Sequence, residues 1–219
     1  MSKKSYCLNL IFELYETCFS IQNFKPMKKF LSIFIVVLFV FFGKAQSQFA
    51  QKLSDAALSL TKDKVTYDPA YYSIKYPNGD VAPDKGVCTD VIIRAYQKLG
   101  IDLQKEVHED MKKNFSKYPK KFGLKKPDTN IDHRRVPNLM VFFAKFGQSK
   151  STEANPALYA PGDIVTWLLP GNLTHIGIVV NKRSADGKRY LIVHNIGAGQ
   201  VIEDCLFKFT ITGHYQYSK

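Results

Sequence analysis

The sequence predicts an α+β fold, with N-terminal helices packed on an antiparallel sheet or partial barrel of about five strands. Three observations carry this prediction. Apolar residues recur at helical spacing as far as residue 147. After residue 160 the period shortens to that of strands. Asp186-Gly187, between two apolar runs, has the composition of a hairpin turn. No internal repeat interrupts this order, and residues 46–219 read as one domain.

In chain order, Phe49, Leu53, Ala56, Ala57 and Leu60 share one helical face, and Lys62-Asp63-Lys64 ends that helix. Tyr71 to Tyr76 reads as extended, and Pro77-Asn78-Gly79-Asp80 as a turn. A helix begins near Cys88, buries Val91, Ile92, Ala95, Tyr96 and Leu99, and stops at Gly100. The next starts from an Asp102 cap and buries Leu103, Val107, Met111 and Phe115. His108 falls on its charged face and is expected to be solvated. Residues 117–136 are polar, basic and irregular; Pro137 then opens a short helix that Gly147 closes. Strands are predicted over 163–169, 175–182, 189–196, 200–207 and 209–217.

Residues 1–45 follow other rules. Lys28 and Lys29 precede an apolar run from Phe30 to Phe42, and Gly43-Lys44-Ala45 follows. A positive start, a short apolar core and small residues at its end make a secretory signal, with Met27 as the start and 1–26 as an upstream extension. The run is shorter than the roughly 20 residues that span a bilayer, which favours cleavage over anchoring. No Cys follows the cleavage site, against a lipoprotein. The expected mature chain begins near Gln46 and is periplasmic or secreted. It keeps 25 basic and 17 acidic residues, a net charge of +8 against +12 for the whole chain. The basic excess is scattered and lacks aromatic interleaving, so nucleic acid is not an expected partner. Peptidoglycan or another anionic envelope polymer is. No membrane span after cleavage and a monomeric state are expected.

Two cysteines, Cys88 and Cys205, lie beyond the signal, too few for a disulfide scaffold. In Gly86-Val87-Cys88-Thr89-Asp90 the Cys stands at a helix start, where unpaired N–H groups and the helix dipole favour the thiolate. Those N–H groups also suit a developing oxyanion. The competing reading is a small buried hydrophobe. His175 opens the apolar strand Ile176 to Val180, and His194-Asn195 ends the strand across the Asp186-Gly187 turn. A His that takes a proton from a thiol needs a group on its other ring nitrogen to hold its tautomer, and His194 or Asn195 can supply one. Asp132-His133-Arg134-Arg135 is either a fork for substrate carboxylates or an internal ion-pair network. No HExxH or CxxC spacing supports a metal site, and no cofactor is expected.

Pro161-Gly162-Asp163-Ile164-Val165, His175-Ile176-Gly177-Ile178-Val179 and Ile192-Val193-His194 resemble the C-terminal half of papain-like, NlpC-type cell-wall cysteine peptidases. That resemblance implies Cys88 as nucleophile, His175 as base and His194 as orienter. Thr89 and Asp90 stand where those enzymes usually have Ser then Gly. Nearly the whole mature chain also resembles the bacterial family called domain of unknown function 1287. The carrying segments are Tyr76 to Asp80, Gly86 to Asp90, Ile131 to Asn138, His194 to Gly197 and Gly213-His214-Tyr215. Candidate substrate-binding residues are therefore Tyr76, Asp80, Asp90, Asp132, His133, Arg134, Arg135, Asn195 and His214. The expected function is a secreted cysteine hydrolase that cuts a peptidoglycan amide through a thioester. An acyl or amide transferase on a lipid, and a catalytically silent envelope-binding module, are the alternatives.

Overall fold

The computed structural model describes residues 48–120 and 123–219. The expected signal segment, 1–45, lies outside them. Helix α1 covers 48–60 and buries Leu53, Ala56, Ala57 and Leu60, the stripe predicted from spacing. Helix α2 (Cys88–Gln97) follows a short parallel pair, β1 (Thr66–Tyr67) with β2 (Lys85–Gly86). Helix α3 (Leu103–Asn114) starts where the Asp102 side chain accepts from the Lys105 N–H, at 3.0 Å, as its sequence requires. Helix α4 (Val136–Phe146) has Pro137 in its first turn, where the missing N–H costs nothing, and stops at Gly147. His108 departs from expectation: it is buried on α3, with Nδ1 at 2.8 Å from the Asp132 carboxylate and the edge of the Tyr76 ring against it. The tertiary partner, not the charged helix face, decides its environment.

The sheet has six antiparallel strands in the order β3-β8-β4-β5-β6-β7. They are β3 (Gln148–Ser149), β4 (Ile164–Leu169), β5 (Leu173–Arg183), β6 (Tyr190–His194), β7 (Val201–Glu203) and β8 (Thr210–Gln216). Each of the five predicted strands is present. The sixth, β3, is two exposed polar residues that no apolar period marks. Tyr71 to Tyr76 forms no strand.

Alternation along β4, β5 and β6 produces two apolar layers. Ile164, Ile176, Ile178, Val180 and Val193 join Leu53, Val91, Ile92 and Tyr96 in the helix-side core. Val165, Trp167, Val179 and Ile192 pack on the other face with Tyr159, Cys205 and Leu206. Val91, Ile92, Ala95 and Tyr96 of α2 are fully buried, and α2 packs on β5 and β6. Each large side chain contributes roughly 1.5–3 kcal/mol, so burial rather than capping seats this helix. Gly162, at φ 85°, turns the chain into β4 so close to α1 that a Cβ there would lie 2.4 Å from the Ala50 carbonyl oxygen. The fold is α+β, helices on an antiparallel sheet, with Cys88 at the start of a helix that packs on the His-bearing strand.

Candidate active site

Cys88 is the first residue of α2. Its neighbours hold that helix end. Asp90 reaches back to the Val87 N–H at 2.7 Å, and Asn195 donates to the Gly86 carbonyl at 3.1 Å. Arg94 pins the loop before Cys88 through Asp80 (2.7 Å) and the Lys85 carbonyl (2.7 Å). The backbone N–H groups of Ile176, Thr89 and Cys88 face the sulfur and favour its charged form, whereas burial and the Asp90 carboxylate oppose it. Burial wins: Cys88 is only 7% exposed and its thiol is pushed up to about 12. The thiolate expected from the helix start alone is therefore not the resting form; the dipole is outweighed by desolvation in an apolar core.

His175 lies on β5 in register with Trp167 of β4, and the two rings are 5.9 Å apart. Its Nε2 is 2.7 Å from Nδ1 of His194, and the rings meet nearly edge to face at 5.0 Å. The structure thus selects His194 over Asn195 as the group on His175. Gly177 makes the approach possible, since a Cβ there would lie 2.7 Å from Ile192 and 3.2 Å from the Cβ of His194. Burial, and next the neighbouring His194, hold His175 down at about 3, so it rests neutral. Its Nδ1 has no hydrogen-bond partner among the described residues, and it makes no direct hydrogen bond to Cys88. The link between them is the β5 backbone, where Ile176, the residue after His175, presents its N–H to the sulfur. Catalytic hydrogen bonds are often long until substrate is bound, so the lack of a direct bond leaves both residues eligible.

Beyond His194 stand Glu203, which sequence reasoning missed, and Cys205. The Nε2 of His194 lies 3.3 Å from the Glu203 carboxylate and 3.7 Å from the Cys205 sulfur. The signal was available: Glu203 pairs with Ile192, two residues before His194, so the side chains share a face. Tyr67 was also missed. It is 40% exposed, and burial first, then nearness to the Asp90 carboxylate and to any charge on Cys88, raises its phenol.

Asp90 and Asn195 stand at the helix end beside Cys88, and the other candidates are not gathered around the sulfur. Arg134 fills its fork with Asp90, Nε and Nη2 each 2.9 Å from an oxygen, and both side chains are buried. Asp132 takes His108 and the Asp128 N–H at 2.8 Å. His133 is buried, and desolvation holds it down at about 4. Arg135 is half-buried beside them. For Asp132 and Arg134 this geometry is that of an internal network rather than of an open carboxylate fork. Asp80 is engaged by Arg94, and Tyr76 covers His108. His214 belongs to a separate buried cluster, 2.7 Å from Asp163, 2.7 Å from the Ser151 carbonyl, and stacked on Tyr159. A surface cleft at Asp80, Asp84, Arg94 and Gln200 includes none of Cys88, His175 or His194.

Comparison with known proteins gives three likenesses. The chain is 50% identical over 165 residues to "Uncharacterized protein YijF" of Escherichia coli (strain K12), covering 75% of this chain and 80% of that one. It overlays on NlpC1 of Trichomonas vaginalis with a TM-score of 0.43, at 16% identity over 77% of this chain and 45% of the other. For NlpC2 of the same organism the values are 0.41, 15%, 76% and 47%. This chain thus spans just under half the length of each solved structure. Residues 54–217 match the family described as "Domain of unknown function (DUF1287)", and the chain belongs to that family.

Proposed function

We propose that the chain is an exported cysteine hydrolase that cleaves an amide bond of peptidoglycan through a thioester on Cys88. The observation that carries this reading is the 2.7 Å bond between His175 Nε2 and His194 Nδ1. With a proton on His194 Nε2, held toward Glu203, His194 Nδ1 is an acceptor. His175 must then carry its proton on Nε2, which leaves Nδ1 as the basic atom. Two buried neutral rings are in this way held in the tautomers that a base for Cys88 requires.

In the proposed cycle the Cys88 proton passes to His175 Nδ1 as the sulfur attacks the carbonyl carbon. The oxyanion takes the N–H groups at the start of α2. Collapse breaks the C–N bond, the amine leaves with the proton from His175, and a thioester remains. Water then attacks that thioester, His175 accepts its proton, and the acid leaves as the thiol is restored. The high resting pKa of Cys88 and the low one of His175 make this a transfer between neutral partners, in which the proton moves only as the sulfur bonds to the carbonyl carbon. The basic surplus of the mature chain, the signal-like N-terminus and the cell-wall peptidase resemblance support an envelope substrate.

The test is turnover on purified cell walls, read as newly freed amino groups, with protein isolated from the envelope and its N-terminus sequenced. Cys88→Ala should show no turnover, and His175→Ala should lose at least the roughly 10²–10⁴-fold that general acid–base help supplies. A mature N-terminus near Gln46 is expected. Wild-type turnover retained by both variants sinks the hydrolase reading. Transfer to an added amine with little hydrolysis identifies a transferase, and wall binding without turnover a silent module.

A further inference from the structure

We infer that His194, Glu203 and Cys205 form a site for a zinc ion, and that its occupancy shuts off His175. The three residues present an imidazole nitrogen, a carboxylate oxygen and a sulfur, all mutually within 4.8 Å. In a tetrahedral zinc site with ordinary bond lengths, nitrogen and sulfur ligands stand about 3.6 Å apart and nitrogen and oxygen about 3.4 Å. The separations here are 3.7 Å from His194 Nε2 to Cys205 Sγ and 3.3 Å from Nε2 to Glu203 Oε2. The two separations that include His194 thus already match the edges of a zinc tetrahedron, and the sulfur and the carboxylate, within 4.8 Å of each other, close on the ion as it binds. A thiolate with an imidazole and one carboxylate suits zinc better than magnesium or calcium, which take oxygen ligands.

The scaffold is firm where it must be and open where an ion must enter. His194 and Cys205 are buried at 0% and 3% exposure, on a strand end and just past its neighbour. The Glu203 side chain is 40% exposed, which supplies an approach from solvent and room for water as the fourth ligand. The far side of the His194 ring is fixed by its bond to His175, the kind of outer partner that orients a metal-bound imidazole.

The consequence for His175 rests on the proposed hydrolase reading. Zinc takes the lone pair of His194 Nε2, so the neutral ring carries its proton on Nδ1. Nδ1 then donates to His175 Nε2, which becomes an acceptor, and the His175 proton moves to Nδ1. That is the atom required to accept the Cys88 proton, and it is no longer basic. The Cys205 thiol gives its proton to solvent as the Zn–S bond forms, and no oxidant or reductant takes part.

The test uses cobalt(II) as a spectroscopic stand-in and zinc for inhibition, on the metal-free mature protein. Cobalt should bind one-to-one with a thiolate-to-cobalt charge-transfer band that zinc displaces. Cys88→Ala should keep the band and Cys205→Ala should lose it. Glu203→Gln, at a half-exposed position where misfolding is not expected, should weaken binding by more than the roughly 10–100-fold that an outer-shell partner is worth. In turnover assays zinc should inhibit the wild type reversibly by chelator, while Cys205→Ala stays active and resists zinc. A band lost in Cys88→Ala but kept in Cys205→Ala places the ion on the nucleophile and overturns the proposal, as does no cobalt band at millimolar metal. If no form of the protein turns over, the hydrolase reading fails, and the cobalt band still decides the site.

Discussion

At the scale of single residues, the decisive quantity is how far burial overrides the local field of a helix end. Cys88 receives N–H groups from its own helix start and from Ile176, yet desolvation leaves its thiol at about 12. Iodoacetamide labelling of Cys88 should therefore keep rising with pH above the roughly 8.5 of an ordinary thiol, with little labelling in acid. Mass spectrometry of the peptides measures this. A plateau at acidic pH would mean that Cys88 and His175 form an ion pair at rest. Cys205, likewise pushed up to about 12, should show the same rise at a slower rate, since its 3% exposure is less than half that of Cys88. The same residue-level logic separates the histidines. His194→Asn keeps a side-chain acceptor for the His175 Nε2 proton, whereas His194→Ala removes it. Turnover should persist measurably in the first and fall further in the second, with melting curves confirming that both fold. Full activity of His194→Ala would assign the orienting role elsewhere.

At the scale of elements, α2 is tied to the irregular 117–136 segment through one buried ion pair. Arg134 and Asp90 are 2% and 3% exposed in their side chains, and Asp90 also caps the helix through Val87. Breaking a buried pair from one side leaves an unsolvated charge, which costs about 3–5 kcal/mol. Arg134→Ala should lose stability of that order in urea denaturation. Adding Asp90→Ala should recover part of the loss by removing the orphan charge. Recovery stays incomplete because the cap itself is worth about 1 kcal/mol. A loss below about 1 kcal/mol for Arg134→Ala would show that water reaches the pair. Arg134, alone of 132–135 in bonding α2 among the bonds described, thus helps fix where that helix begins, through Asp90 and through its own carbonyl, which accepts from the Thr89 hydroxyl.

At the scale of the whole molecule, buried neutral histidines make stability depend on pH in one direction. His133 and His175 have folded values of about 4 and about 3, below the ordinary 6.5. Between 6.5 and those values the unfolded chain binds more protons than the folded one, so stability is fully present above 6.5 and is lost as pH falls. Each histidine contributes a slope of roughly 1.4 kcal/mol per pH unit inside its window. Melting temperature should fall from pH 6.5 towards pH 4, and His133→Asn should flatten that fall. A melting temperature constant across this range would mean that neither ring is held neutral. Among the described residues no helix is long and apolar enough to cross a membrane.

The one-dimensional pattern determined what depends on neighbours along the chain. Helical stripes such as Leu53, Ala57 and Leu60, the Asp102 cap, the Asp186-Gly187 turn and five of the six sheet strands follow from periodicity and turn chemistry, and each is short-range physics. The placement of Cys88 at a helix start and of His175 on a strand was legible for the same reason. What only tertiary structure decided was which polar groups meet. That His194 rather than Asn195 bonds His175 depends on the β5–β6 register and on the missing side chain at Gly177. That Asp90 closes on Arg134, and His108 on Asp132, depends on pairs 44 and 24 residues apart. The protonation state of Cys88 followed the same rule, because desolvation is set by everything packed around an atom. A helix start in the sequence carries no information about that surrounding volume.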